Sequence, residues 1–254
     1  MYKLFLKVLF LSIFISSIYG NPPNVISHQL TEIELTEFHS GIKSIDCIYV
    51  INLEKRYERW QRTQAICRSH GLFVNRVNAI NGWKLNRRIL RELTTSDHQI
   101  TKGAIGCLLS HLTILRHALK NQFAAIWIME DDITFVNNPH QIRSLLKELT
   151  EIDPDWDIFY TDIRNHWNYV IKPIKQKNFI TERLLRVGRR YGTHSIILSK
   201  KGIEKVFTYF TEKKISTPID IDIHSIPNIR KYSPAWHITS VVESSISDTE
   251  VPIN

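Results

Sequence analysis

Hydrophobic and polar positions along this chain switch between two periods. Ile45-Asp46-Cys47-Ile48-Tyr49-Val50-Ile51-Asn52-Leu53 is a nearly continuous apolar run rich in β-branched residues, the pattern of a strand buried on both faces. A polar, helix-permissive stretch follows over 55–69 and is closed by Gly71. Phe73 to Ile80 reads as a second strand, ended by Asn81-Gly82. Over 103–120, Ile105, Leu108, Leu109, Leu112, Leu115 and Leu119 recur at three- and four-residue steps and line one helix face. Ala124 to Met129 predicts a third strand, Asn138 to Thr150 a helix and Asp157 to Tyr160 a fourth strand. Residues 168–198 hold several β-rich pieces, and Lys200 to Thr211 is again an amphipathic helix. Strands alternating with helices predict an α/β sheet.

The N-terminus follows neither period. Lys3 and Lys7 flank the start of an apolar run, and Tyr19-Gly20 precedes Asn21-Pro22-Pro23. This is the pattern of a signal peptide over 1–20. The alternative is an uncleaved anchor, but the run from Leu4 to Tyr19 is shorter than the roughly 20 residues a spanning helix needs. The expected organisation is a signal peptide over 1–20, a polar leader over 21–43 and a single folded domain over 44–254. The expected location is the secretory pathway or outside the cell, with membrane contact only through an uncleaved N-terminal segment.

Composition narrows the field. The 254 residues are 43% hydrophobic and 23% charged, which excludes a disordered chain and a disulfide-stapled mini-domain. The 33 Lys and Arg exceed the 25 Asp and Glu by +8, but they are scattered and accompany no nucleic-acid-binding signature. A basic cleft for an anionic small molecule is the more economical reading. Cys47, Cys67 and Cys107 cannot all pair with one another. Cys47 and Cys107 lie in apolar segments and read as inert core residues. No CxxC pair exists, so a thiolate zinc site is not expected.

Glu130-Asp131-Asp132 follows directly on the apolar strand Ala-Ala-Ile-Trp-Ile-Met. Ligands of open α/β sheets bind beyond the carboxyl ends of the strands. Three carboxylates placed there repel one another unless a cation lies between them. A divalent metal with oxygen ligands satisfies them and neutralises a departing diphosphate. The competing reading is a solvated acidic turn, or carboxylates capping the next helix.

The surrounding residues carry a resemblance. Val50-Ile51-Asn52-Leu53-Glu54-Lys55-Arg56-Tyr57-Glu58-Arg59 resembles the opening strand and turn of glycosyltransferase family 25. That family includes bacterial lipooligosaccharide galactosyltransferases and procollagen galactosyltransferases. Ala79-Ile80-Asn81-Gly82 and Gly103-Ala104-Ile105-Gly106-Cys107-Leu108-Leu109-Ser110-His111 are similar to two further family motifs. The EDD triplet falls where the family's aspartate motif falls. Gly192-Thr193-His194-Ser195-Ile196-Ile197-Leu198-Ser199 with Gly202, then Pro218-Ile219-Asp220, resemble its later motifs, and Ser247-Asp248-Thr249-Glu250 resembles a collagen-type tail. The resemblance spans about 45–250. It implies a GT-A-like, Rossmann-related mixed sheet flanked by helices. It also implies a UDP-sugar donor, Mn²⁺ or Mg²⁺, and inversion at the anomeric carbon.

Roles follow from that resemblance. Asp131 and Asp132 are expected at the metal and diphosphate, with Glu130 orienting ribose or sugar. A late histidine, His237, is expected to complete the metal's coordination. Asn52 and Arg56, with Arg59 behind them, are expected at the base and phosphates, where guanidinium forks suit phosphate. Gly103 and Gly106 open the long helix, whose N-terminal N–H groups suit an anion, and Ser110 and His111 are expected to face the donor. Asp220 is the first candidate for the general base that takes the acceptor hydroxyl's proton. Asp222 would share its face on a strand. His194 is placed near the acceptor.

The expected function is metal-dependent inverting transfer of a hexose, galactose first, from a UDP-sugar to a glycan or hydroxylysine hydroxyl. An inactive transferase-like adhesion or interaction module is the alternative. A metal-dependent phosphodiesterase would also use clustered aspartates, but it lacks histidine-rich two-metal spacing here.

Overall fold

A computed structural model of the chain describes residues 24–35, 38–96, 100–163, 178–242 and 249. The expected signal peptide, the fragment around Trp167 and most of the collagen-type tail lie outside the described residues.

Among the described residues, nine strands form two sheets. They are β1 (Cys47–Asn52), β2 (Asn75–Asn78), β3 (Ala125–Glu130), β4 (Ile133–Phe135), β5 (Ile158–Tyr160), β6 (Leu184–Arg186), β7 (Ser195–Ser199), β8 (Lys231–Pro234) and β9 (Thr239–Val241). The main sheet has seven strands in the order β2-β1-β3-β7-β5-β8-β6, and β4 pairs with β9 separately. β2, β1 and β3 run parallel, β7 runs antiparallel to both β3 and β5, and β5 and β8 are parallel. The helices are α1 (Asn24–Gln29), α2 (Tyr57–Ser69), α3 (Arg87–Leu93), α4 (Lys102–Lys120), α5 (Gln141–Ile152), α6 (Lys200–Thr211) and α7 (Ile219–Asp222). This is the mixed α/β sheet flanked by helices that the sequence leads one to expect.

Strand alternation divides the core into two layers. Cys47, Tyr49 and Ile51 of β1 and Ile126 and Ile128 of β3 pack with α4 and α6. Ile48 and Val50 of β1 and Trp127 and Met129 of β3 pack on the other side with α2 and α5. Both faces of these strands are covered, which is why their sequences read as unbroken apolar runs rather than alternating ones.

Helix α4 begins at a cap. The Thr101 hydroxyl accepts from the Ala104 N–H at 3.1 Å. Its apolar face, Ile105, Leu108, Leu109 and Leu112, is buried against the sheet. Part of the polar leader is held on this helix as well: Ile26 and Leu30 are buried, and Arg116 of α4 donates to the carbonyls of Ser27, Leu30 and Thr31. The strand reading of Phe73 to Ile80 contracts to Asn75–Asn78, because Ile80 and Gly82 turn to meet α4.

Candidate active site at the carboxyl edge of the sheet

β1, β3 and β5 all end at one edge, and the antiparallel β7 starts there. The Glu130 N–H donates to the His194 carbonyl at 2.7 Å, just past the Met129–Ser195 pair. Asn52, the acidic triplet, Asp162 and His194 therefore converge on this edge.

Alternation sends neighbouring acids to opposite faces. Asp131 turns toward α2. Asn52 Nδ2 donates to Asp131 Oδ2 at 2.6 Å and to the Arg56 carbonyl at 2.8 Å, while Arg76 Nε donates to Asn52 Oδ1 at 2.8 Å. Arg59 lies 3.4 Å from the other Asp131 oxygen. Arg62 and the Thr63 hydroxyl hold the Asp131 carbonyl at 2.7 and 2.8 Å. Burial raises the Asp131 carboxyl above its ordinary value, against the pull of Asn52 and Arg59.

Glu130 continues the α4-facing row of Ile126 and Ile128. Its carboxyl is pushed up to about 8, first by burial, then by the charges of Asp132, Asp131 and Asp220, with Arg59 opposing. It meets Cys107 and His111, one helical turn apart on α4. One ligand atom from each of the three lies within 4.8 Å of the other two. Among the described residues this is the His/Cys/Asp/Glu group close enough to share a metal ion, and Asp131, Asp132 and His237 are not gathered into such a group. The Ile163 N–H approaches His237 Nδ1 at 3.4 Å, and Asn137 holds the His237 carbonyl at 2.7 Å. Cys107, read from the sequence as an inert core residue, is half-buried, and burial with the charges of Glu130 and Asp220 raises its thiol well above the ordinary value.

Gly106 and Ser110 meet protein rather than open space. A Cβ on Gly106 would lie 2.3 Å from the Ile80 carbonyl oxygen, and one on Gly82 would lie 1.7 Å from that of Lys102. Both glycines allow a loop to pack directly on α4. The buried Ser110 hydroxyl donates to the Gly106 carbonyl at 2.7 Å and accepts from the Ile80 N–H at 2.8 Å. Gly103 remains half-buried in the first turn of α4.

Asp220 and Asp222 separate. The segment is the short helix α7, not a strand, so residues two apart point to nearly opposite sides. Asp220 Oδ2 accepts from the Gly192 N–H at 3.0 Å. Its charge is also felt at Glu130, Cys107 and Tyr160. Asp222 is buried with Lys213 at 2.7 Å and the Tyr209 hydroxyl at 3.1 Å. The shared-face expectation for Asp222 fails for that reason.

Sequence reading missed a buried group beside these residues. Arg190 Nη2 contacts Asp162 Oδ1 at 2.7 Å, Arg190 Nη1 donates to the Asp162 carbonyl at 2.8 Å, and the guanidinium lies 4.0 Å from the Tyr160 ring centre. His194 Nε2 lies 3.4 Å from Asp162 Oδ2. Burial alone would raise the Asp162 carboxyl, but Arg190 and His194 hold it well below the usual carboxylate range. An acid two residues past a strand end was the available signal. Arg62 and Thr63 were also missed, although Arg59, Arg62 and Thr63 share one face of α2 at helical spacing.

The chain is similar to several known proteins. Among curated relatives, human procollagen galactosyltransferase 2 is 27% identical over 175 residues, which cover 63% of this chain and 27% of that protein. The human inactive glycosyltransferase 25 family member 3 is 29% identical over 126 residues, covering 45% and 21%. The chain thus spans about a quarter of the length of these relatives. Similar solved structures include A197 from STIV, at 10% identity and a TM-score of 0.40, covering 74% of this chain and 80% of that one. Another is a glycosyltransferase involved in glycosylation of the major capsid of PBCV-1, at 14% identity and a TM-score of 0.37, covering 74% and 81%. No helix among the described residues is long and apolar enough to cross a membrane. The family model described as glycosyltransferase family 25 (LPS biosynthesis protein) matches residues 45–223, from the first residues ahead of β1 to just past Asp220, and the chain belongs to that family.

Proposed function

We propose that this chain is a metal-dependent, inverting glycosyltransferase that moves a hexose, galactose first, from a UDP-sugar to a hydroxyl of a glycan or protein. One observation carries the reading. The ends of β1 and β3 bring Asn52, Arg59 and three acids to one edge, with Asp220 in electrostatic reach of Glu130.

The donor set fits a hard dication. Burial and three neighbouring acids disfavour the charge on Glu130, and a cation at this lip relieves that repulsion. Asp132 would hold Mn²⁺ or Mg²⁺ at this lip, while both Asp131 oxygens face Asn52 and Arg59. The bound cation would neutralise charge on the departing diphosphate.

The chain's own residues do the rest. Asn52 fixes Asp131 and the Arg56 carbonyl, which sets the β1–α2 turn against which base and phosphates would lie. The Gly192 N–H orients the Asp220 carboxylate. Asp220 takes the acceptor hydroxyl's proton as that oxygen bonds to the anomeric carbon. The bond from that carbon to the diphosphate oxygen breaks, its electron pair leaves with UDP, and the configuration inverts. A panel of UDP-sugars, read by released UDP in the presence of Mn²⁺, tests the reading. UDP-galactose is expected to give the fastest release, and no release from any donor refutes it.

A relative whose name marks it inactive favours a second reading, a transferase-like interaction module. Calorimetry separates the two, since a module without donor chemistry shows no UDP affinity with metal present.

A further inference from the structure

Three side chains meet between α4 and the end of β3 in a combination that hard-metal chemistry does not call for. Cys107 and His111 are four residues apart on α4, so they share a face, and Glu130 reaches them from the strand. Their ligand atoms lie within 4.8 Å of one another. Around a tetrahedral zinc ion such atoms sit about 3.4–3.6 Å apart, given metal–ligand distances of roughly 2.0–2.3 Å. Small side-chain rotations close that difference.

A second observation points to a ligand. His111 is 1% exposed, and its Nε2 has no hydrogen-bond partner among the described residues. A buried imidazole nitrogen without a partner costs free energy that a bound group would recover.

We infer that Cys107, His111 and Glu130 form a three-ligand site for a thiophilic divalent cation such as Zn²⁺, on the α4 face of the strand edge and distinct from the Asp132 lip. A thiolate, an imidazole and a carboxylate suit zinc and cobalt and do not suit magnesium. Three protein ligands leave a fourth position for water, as in open zinc sites. Binding releases the Cys107 thiol proton, and the proton that burial favours on Glu130, to solvent as the metal–sulfur and metal–oxygen bonds form, with no redox change. The site stands on its own geometry and does not depend on the proposed sugar transfer.

The experiment titrates the full chain with Co²⁺, and then with Zn²⁺ as competitor, while recording thiolate-to-cobalt charge-transfer absorption. The wild type is expected to develop the band at one equivalent and to lose it as Zn²⁺ displaces cobalt. Cys107→Ser is expected to abolish the band, and Asp132→Ala to keep it. Cys107 is half-buried, so its serine variant should fold, and circular dichroism checks this. His111→Gln gives a second arm. It is expected to weaken Zn²⁺ binding by more than the roughly 10–100-fold that loss of an outer-shell partner costs. No band in the wild type, or a band that survives Cys107→Ser through Cys47 or Cys67, overturns the site.

Discussion

Asn52 Nδ2 donates to Asp131 Oδ2 across 2.6 Å, and this bond ties the carboxyl ends of β1 and β3 together. Asn52 is 1% exposed and its oxygen is held by Arg76, so the amide bridges a carboxylate and a guanidinium in a buried setting. Asn52→Ala leaves a buried acceptor on Asp131 and a half-buried donor on Arg76 without their partner. A loss of about 1–3 kcal/mol is expected. Denaturant unfolding measures it, and an unchanged midpoint would mean that solvent reaches both groups.

The Asp162–Arg190 pair is a second structural anchor. Arg190→Met removes the partner of a carboxylate that is 1% exposed, and a cost of about 3–5 kcal/mol is expected. Asp162→Asn in the same chain should return a large part of that cost, because no unpaired charge then remains. Thermal unfolding of the two single variants and the double variant gives the coupling.

That pair also sets an acid limit. The folded Asp162 carboxyl lies below its unfolded value of about 3.9, so the unfolded chain binds the proton more readily at low pH. The stabilisation is complete above the unfolded value and is lost as pH falls toward the folded one. Wild type is therefore expected to lose stability below about pH 4 more steeply than Asp162→Asn. Parallel slopes in acid would contradict this.

Gly82 and Gly106 allow the loop after β2 to sit on α4. Gly82→Ala places a methyl group against the Lys102 carbonyl, with backbone on both sides. A loss of about 1–3 kcal/mol or more is expected in melting experiments. The same substitution at Gly188, which has open space around it, is expected to be better tolerated.

Asp220 and Asp222 should part in kinetics as they do in space. Asp220→Asn is expected to lower kcat by about 10²–10⁴-fold with an unchanged fold, the range for loss of a general base. Asp222→Asn breaks the contact with Lys213 and is expected to lower stability while leaving kcat near wild type. Equal losses of kcat would return Asp222 to the reacting group.

The central architecture was legible because β1 and β3 are unbroken apolar runs and α4 is a long helix whose apolar residues recur at helical spacing. The acidic edge was legible because three acids directly after such a strand have few structural uses. Three features were hidden for physical reasons. Pro218-Ile219-Asp220-Ile221-Asp222 alternates like a strand, yet Ile219–Asp222 folds as one helical turn, and this moved Asp222 to another face. Gly106 and Ser110 lie in a motif that suggests anion binding, but only the fold reveals the loop at Ile80–Gly82 covering them. Cys107 and His111 carried a helical spacing of four, but their partner Glu130 comes from a different element, and its side was fixed by strand register.

The most direct test of the central claim is UDP release from UDP-galactose with and without Mn²⁺, in wild type and in Asp132→Ala. Release that requires the metal in wild type and falls to background in the variant is the expected result. Metal-independent release, or full activity in Asp132→Ala, would contradict a dication-holding acidic edge.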